Sequence, residues 1–141
     1  MNKQLWSIWR KYSLLEGIEN MPPGFLEGSL YKDVLYHGTD HRFKPGKQLD
    51  TRGPEFGIYL TPRLNYARGY GSNLVKVLVN FQHPLFIEDK SEISPRDLTK
   101  DDVDKLKSKG YDSIVVTSSS IDSASEIILF EPTQTFIIEV K

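Results

Sequence analysis

Leu74-Val75-Lys76-Val77-Leu78-Val79-Asn80-Phe81 is the stretch on which the fold turns. Val75, Val77 and Val79 alternate with Lys76, Leu78 and Asn80, the period of two that a β-strand with one strongly buried face produces. Six further β-like runs surround it: Val34 to His37, Ile58 to Thr61, Leu85 to Ile87, Ser113 to Thr117, Glu126 to Phe130 and Thr135 to Val140. Two short helices interrupt them. The first is expected to follow Thr61-Pro62, an N-cap with proline at the first helical position, and to run to about Tyr70 ahead of Gly71. The second begins near Thr99, whose spacing to Asp102 approximates a capping box, and ends at Gly110. The class is therefore α+β.

At the N-terminus the pattern differs. Leu5, Trp9, Tyr12 and Leu15 recur at helical spacing, with Ile8 and Ile18 widening the stripe, so an amphipathic helix is expected from Asn2 to about Asn20. Met21-Pro22-Pro23-Gly24 stops it, because proline blocks helix continuation and biases the residue before it towards extended backbone. The expected organisation is a helix and linker over 1–24 and one domain over 25–141. Between Gly38 and Gly57 lies a segment with Pro45, Gly46, Gly53 and Pro54 and no periodicity; a loop this long in a small domain reads as functional or disordered.

Bulk properties narrow the chemistry. The 141 residues, 38% hydrophobic and 11% aromatic, supply one real core. A formal charge of -1 lacks the cationic excess of a sequence-independent nucleic-acid binder, although a local basic patch stays compatible with it. With no cysteine there is neither a disulfide framework nor a thiolate nucleophile, and three scattered histidines do not read as a metal site, so metal-independent chemistry is expected. No apolar stretch approaches the roughly 20 residues that cross a bilayer. A soluble cytoplasmic protein without a membrane partner is the expectation.

Three stretches carry candidate chemistry. Tyr36-His37-Gly38-Thr39 closes a strand and opens the long loop, placing polar groups at the rim of a cleft, and its glycine lets another molecule approach the backbone closely. Gly57-Ile58-Tyr59-Leu60-Thr61 is a second strand opening on glycine, with Tyr70 eleven residues beyond Tyr59. Two such rings can clamp a flat heterocycle, each stacking contact contributing about 0.5–1.5 kcal/mol beyond burial. Ser125-Glu126-Ile127-Ile128-Leu129-Phe130 sets a carboxylate at the entrance to an apolar strand, where it can bond a ribose hydroxyl and stabilise positive charge at an anomeric carbon. Alone, each has a plain structural reading: a strand-ending turn, core-edge tyrosines, a solvated edge charge.

In order and spacing the three stretches resemble the motifs of the ADP-ribosyltransferase superfamily, in the His-Tyr-Glu branch that includes poly(ADP-ribose) polymerases and diphtheria-type toxins. The resemblance covers roughly residues 33–140, including Gln134 eight positions after Glu126. Lys109-Gly110-Tyr111-Asp112-Ser113-Ile114 is also similar, more locally, to small ADP-ribosyltransferase domains of bacteriophage and bacterial polyvalent proteins. The resemblance implies a split sandwich of two small antiparallel sheets with an NAD cleft between them. It implies catalytic roles for His37, Tyr59 and Glu126 and NAD binding by Tyr36, His37, Gly38, Thr39, Tyr59 and Tyr70. His37 would bind a ribose hydroxyl on the adenosine side, Gly38 the carboxamide of nicotinamide, Tyr59 and Tyr70 its ring, and Glu126 the 2'-hydroxyl of the nicotinamide ribose.

NAD would be a consumed substrate, with no metal, and ADP-ribose would pass to a macromolecular acceptor, protein rather than nucleic acid on net charge. Water as acceptor would make the chain an NAD glycohydrolase, and loss of turnover an NAD- or ADP-ribose-binding module. Ala124 stands where arginine-modifying relatives carry Gln or Glu, and His37 where they carry arginine, which disfavours arginine-specific transfer. Arg52, Arg63 and Arg68 are candidates for the pyrophosphate.

Overall fold

The computed structural model describes residues 20–50, 56–88 and 98–141; the expected N-terminal helix and Arg52 lie outside them. All seven β-like runs are strands: β1 (Leu35–Thr39), β2 (Ile58–Leu60), β3 (Asn73–Val79), β4 (Pro84–Ile87), β5 (Ser113–Thr117), β6 (Ala124–Leu129) and β7 (Thr135–Val140). Among the described residues two α-helices accompany them, α1 (Leu64–Arg68) and α2 (Lys100–Ser108), with single 3-10 turns at Ile121–Ser123 and Pro132–Gln134.

The strands form two sheets, β1-β3-β7 and β2-β6-β5-β4, so the molecule is an α+β split sandwich. One pairing departs from the antiparallel expectation: β4 and β5 run parallel, with Pro84 opposite Ser113 and Ile87 opposite Val116. Parallel neighbours need a crossover, and the chain between them carries α2. Val75, Val77 and Val79 of β3 pack with Leu35 and Ile137 against Ile58, Leu60, Val115, Ile127 and Leu129 of the second sheet, forming the core between the sheets.

Both outer faces are also covered. Leu78, Phe136 and Ile138 on the far side of the first sheet are packed by Leu26, Met21 and Phe25. The segment expected as a linker is thus bound to the domain: three apolar side chains follow or flank the prolines, and turns such as Phe25 N–H to the Pro22 carbonyl at 3.0 Å fold them back. Beneath α2, Val103 and Leu106 pack on Ile87, Ile114, Val116, Ile128 and Phe130.

The helix starts test the capping arguments. Thr99 is the N-cap of α2, with Asp102 N–H donating to its hydroxyl and the Asp102 carboxylate accepting from Thr99 N–H, a complete capping box. These bonds hold the Asp102 carboxyl below its usual range. α1 corrects the expectation. Its N-cap is Arg63, not Thr61, because Thr61 is taken up in a β-bridge to Tyr36 and its hydroxyl accepts from Arg63 N–H at 3.0 Å.

The long segment after Gly38 is anchored where it is described. Leu49 is fully buried in the core between the sheets and Phe43 packs against it. Gly46 N–H donates to the Ile137 carbonyl and Ile137 N–H to the Lys47 carbonyl, each at 2.8 Å, so the loop adds a short rung to the outer edge of β7. Burying Leu49 contributes about 1.5–3 kcal/mol, enough to hold an otherwise irregular loop in one place.

Candidate active site

β1 and β2 belong to different sheets and meet at one rung. Tyr36 N–H donates to the Thr61 carbonyl at 2.8 Å, and Thr61 N–H to the Tyr36 carbonyl at 3.0 Å. Along an extended strand successive residues direct their amide groups to opposite sides. Tyr36 therefore faces β2, His37 faces β3, and Gly38 faces the same open edge as Tyr36. The register agrees: Leu74, opposite Gly38, exchanges both its main-chain bonds with Lys141 on its far side, at 2.8 Å each. The N–H and C=O of Gly38 thus lie on the seam between the sheets, a donor and an acceptor spaced to pair with a planar carboxamide.

The need for glycine has a different origin from the one the sequence suggests. A Cβ at position 38 would stand 1.7 Å from the Ala67 carbonyl oxygen, so the last turn of α1 packs directly on this backbone. The close approach belongs to α1. Tyr70 is brought in by the same contact, its Cβ 3.2 Å from that hypothetical atom, and the residue is 62% exposed. An aromatic ring so exposed is available for stacking.

His37 reaches the seam from the core side. Its Nδ1 is 2.8 Å from the Tyr59 carbonyl oxygen, which only accepts, so Nδ1 carries the proton. Desolvation lowers its pKa, the bond to Tyr59 working against that shift. The neutral ring is therefore favoured at pH 7, with Nε2 left as a hydrogen-bond acceptor. Phe43 packs edge-on to the imidazole, ring centroids 6.4 Å apart.

Glu126 lies on the outward face of the second sheet. An irregularity between Val116 and Thr117 pairs Val116 with Glu126 and Thr117 with Ala124, so the register steps over Ser125. Ala124 and Ile127 consequently both point into the core, while Glu126 shares the opposite face with Ile128. Its Oε1 is shielded from solvent. Thr61 fixes the strand at this point, its hydroxyl donating to the Ser125 carbonyl at 2.8 Å. One rung beyond the Leu60–Ile127 pair, Thr61 stands across from Glu126, and across from Tyr36 on its other side. Glu126 and Tyr36 are thus two strand spacings apart, roughly 10 Å. Tyr59 sits on the same outward face, half-buried against the apolar layer beneath α2.

Tyr36, His37, Gly38, Tyr59 and Glu126 thus stand on strands that adjoin one seam, with Tyr70 just beyond α1, while the Tyr59 side chain packs in the layer beneath α2. Thr39 is buried, and its hydroxyl accepts from His41 N–H at 3.1 Å, shaping the entry to the long loop. Thr61 and Phe43 are the members that sequence reasoning missed. The only signal for Thr61 was its place at the end of the second motif, where it reads as a helix cap.

Other singled-out residues are structural. Gln134 accepts from Phe130 and Glu131 N–H and donates to the Asn80 and Asp112 carbonyls, joining the ends of four segments. The Asp112 carboxylate accepts from Gln82 and His83 N–H. Ala124 is buried in the core, with no room there for a longer side chain. A shallow depression of about 610 Å³, lined by Phe25, Asn80, Tyr111 and Gln134 among others, lies at the far end of β3 from Gly38. That is roughly 20 Å away, six residues along the strand, and its Asn80 and Gln134 side chains are spent on internal bonds.

Among the described residues no three His, Asp or Glu side chains are grouped to hold a metal ion, and no helix is long and apolar enough to cross a membrane. No family model matches the sequence, and no curated protein is similar to it. Among solved structures the chain is similar to the crystal structure of an anti-CRISPR protein, at 12% identity and a TM-score of 0.46 over 74% of this chain and 94% of that one. A likeness of that degree carries no argument about activity.

Proposed function

We propose that the protein is an NAD-consuming mono-ADP-ribosyltransferase. One observation carries the reading: three motifs from separate parts of the chain converge on the Tyr36–Thr61 seam, with an amide edge at Gly38, an acceptor nitrogen on His37 and a carboxylate on Glu126. Each group suits one part of the dinucleotide. The Gly38 edge pairs with the carboxamide, and Tyr70 and Tyr59 supply aromatic surface for the nicotinamide ring. His37 Nε2 receives a ribose hydroxyl. Glu126 accepts the 2'-hydroxyl of the nicotinamide ribose and stabilises the positive charge that develops at C1' as the C1'–N bond lengthens. Nicotinamide leaves with the bonding pair, and the acceptor closes on C1'.

Incubation of the full chain with NAD tests this. Nicotinamide release by the wild type is expected, and Glu126→Gln is expected to lose it by a factor on the order of 100–1,000 while still binding NAD, the loss typical of removing one electrostatic stabiliser. Free ADP-ribose as the sole product would favour the glycohydrolase. Binding without release, with any acceptor supplied, would make the domain a recognition module and sink the catalytic reading.

A further inference from the structure

The near-zero net charge conceals an uneven distribution around the seam. From Phe56 to Ile87 the sequence contains no Asp or Glu, while Arg63, Arg68 and Lys76 fall within it. Lys76 is paired with Glu139 at 3.2 Å. Arg63 and Arg68 are exposed at the two ends of α1, and between them Tyr66 is 51% exposed. The Tyr66 ring is held in that position: the Arg63 guanidinium lies 5.2 Å over its centroid and donates to its hydroxyl at 3.1 Å.

A second cationic segment is tied alongside. Asn73 donates to the His41 carbonyl at 3.0 Å, and Gly71 packs against the backbone of Thr39 and Asp40, which ties the backbone leading into exposed Arg42 to the turn that follows α1. Asp40, the acid closest in sequence, has its carboxylate turned to Ser72 N–H at 3.0 Å. The result is a rim of guanidinium groups interleaved with an exposed ring, leading through Tyr70 to the Gly38 edge. Guanidinium groups match phosphate, and an aromatic face stacks any nucleobase. An acidic peptide would satisfy the charges but leave the ring unused.

We propose that this rim docks single-stranded nucleic acid, with Tyr66 stacking a base and Arg42, Arg63 and Arg68 contacting phosphates. Resting on the transferase reading of the seam, the rim makes nucleic acid the acceptor class. In that step an acceptor nitrogen or oxygen forms the new bond to C1', the C1'–N bond breaks with its electron pair leaving on nicotinamide, and the displaced acceptor proton passes to solvent.

The test is fluorescence anisotropy of the full chain, without NAD, using fluorescein-labelled oligouridylate of about 12 nucleotides and a two-nucleotide control, the longer probe spanning a typical single-strand site. Binding to the longer probe is expected to be at least tenfold tighter, with a log–log salt slope of about -2, since each phosphate neutralised contributes about -0.7 and three arginines are offered. Tyr66→Ala and Arg63→Glu are each expected to weaken it about tenfold. Lys100→Glu on α2, on an exposed residue away from the rim, is expected to leave it unchanged. Circular dichroism verifies that each variant is folded.

Equal affinity for both probe lengths, unchanged binding in the rim variants, or equal competition by polyglutamate would overturn the proposal. Binding without nicotinamide release would leave the docking rim standing and fell the transferase reading. With radiolabelled NAD, label on the oligonucleotide that is lost in Arg63→Glu supports nucleic acid as acceptor, and label on protein alone overturns that assignment.

Discussion

At the scale of single residues, His37 illustrates how a carbonyl fixes a protonation state. The Tyr59 oxygen assigns the proton to Nδ1, and desolvation lowers the pKa below the ordinary 6.5, so the ring takes up its second proton at a lower pH than an exposed histidine does. The sign follows from linkage. With the folded-state pKa depressed, the His37 contribution to stability is full above about pH 6.5 and is lost as pH falls through the lower folded value. NAD affinity measured by calorimetry is expected to be flat from about pH 8 to 6.5 and to fall below that, as Nε2 becomes a donor. A decline centred above pH 6.5 would contradict the assignment. The identity of His37 as a candidate was legible in the sequence; its protonation was not, because the group that sets it lies on another strand.

At the scale of elements, α1 and β1 meet through Gly38. Gly38→Ala would drive a Cβ to within 1.7 Å of the Ala67 carbonyl oxygen, so α1 must move off the strand. The expected cost is about 1–3 kcal/mol in denaturant unfolding, as for other overpacked sites, together with weaker NAD binding as Tyr70 shifts. Unchanged stability would show that α1 does not rest on this backbone. The strands and α2 were readable because alternation and capping depend on residues a few positions apart. The start of α1 was misread for the opposite reason: Thr61 has every local quality of a cap, but its main chain is bonded to Tyr36 far upstream.

At the scale of the whole molecule, the segment after Gly38 closes the sandwich. Leu49→Ala removes a fully buried side chain that fastens this loop to the core between the sheets. A loss of about 2–5 kcal/mol is expected in urea unfolding, a large share of the roughly 5–15 kcal/mol that holds a domain together. A change below about 1 kcal/mol would mean that the core collapses around the gap, against the usual behaviour of such sites. Charge is also a property of this scale. The overall balance of -1 leans away from nucleic acid, yet the span from Phe56 to Ile87 carries no acid and is bonded through Asn73 to the backbone just before Arg42, the arrangement on which the proposed docking rim rests.

The sequence by itself determined the strands, the capped α2, the α+β class and the three stretches that could carry chemistry, since each is written in neighbours along the chain. Tertiary structure alone decided that the stretches meet at the Tyr36–Thr61 rung, that the proline segment packs on the first sheet, that β4 and β5 run parallel, and that the glycine of the first motif serves α1. Those outcomes rest on hydrogen bonds and contacts between residues distant in sequence, where periodicity and propensity carry no information.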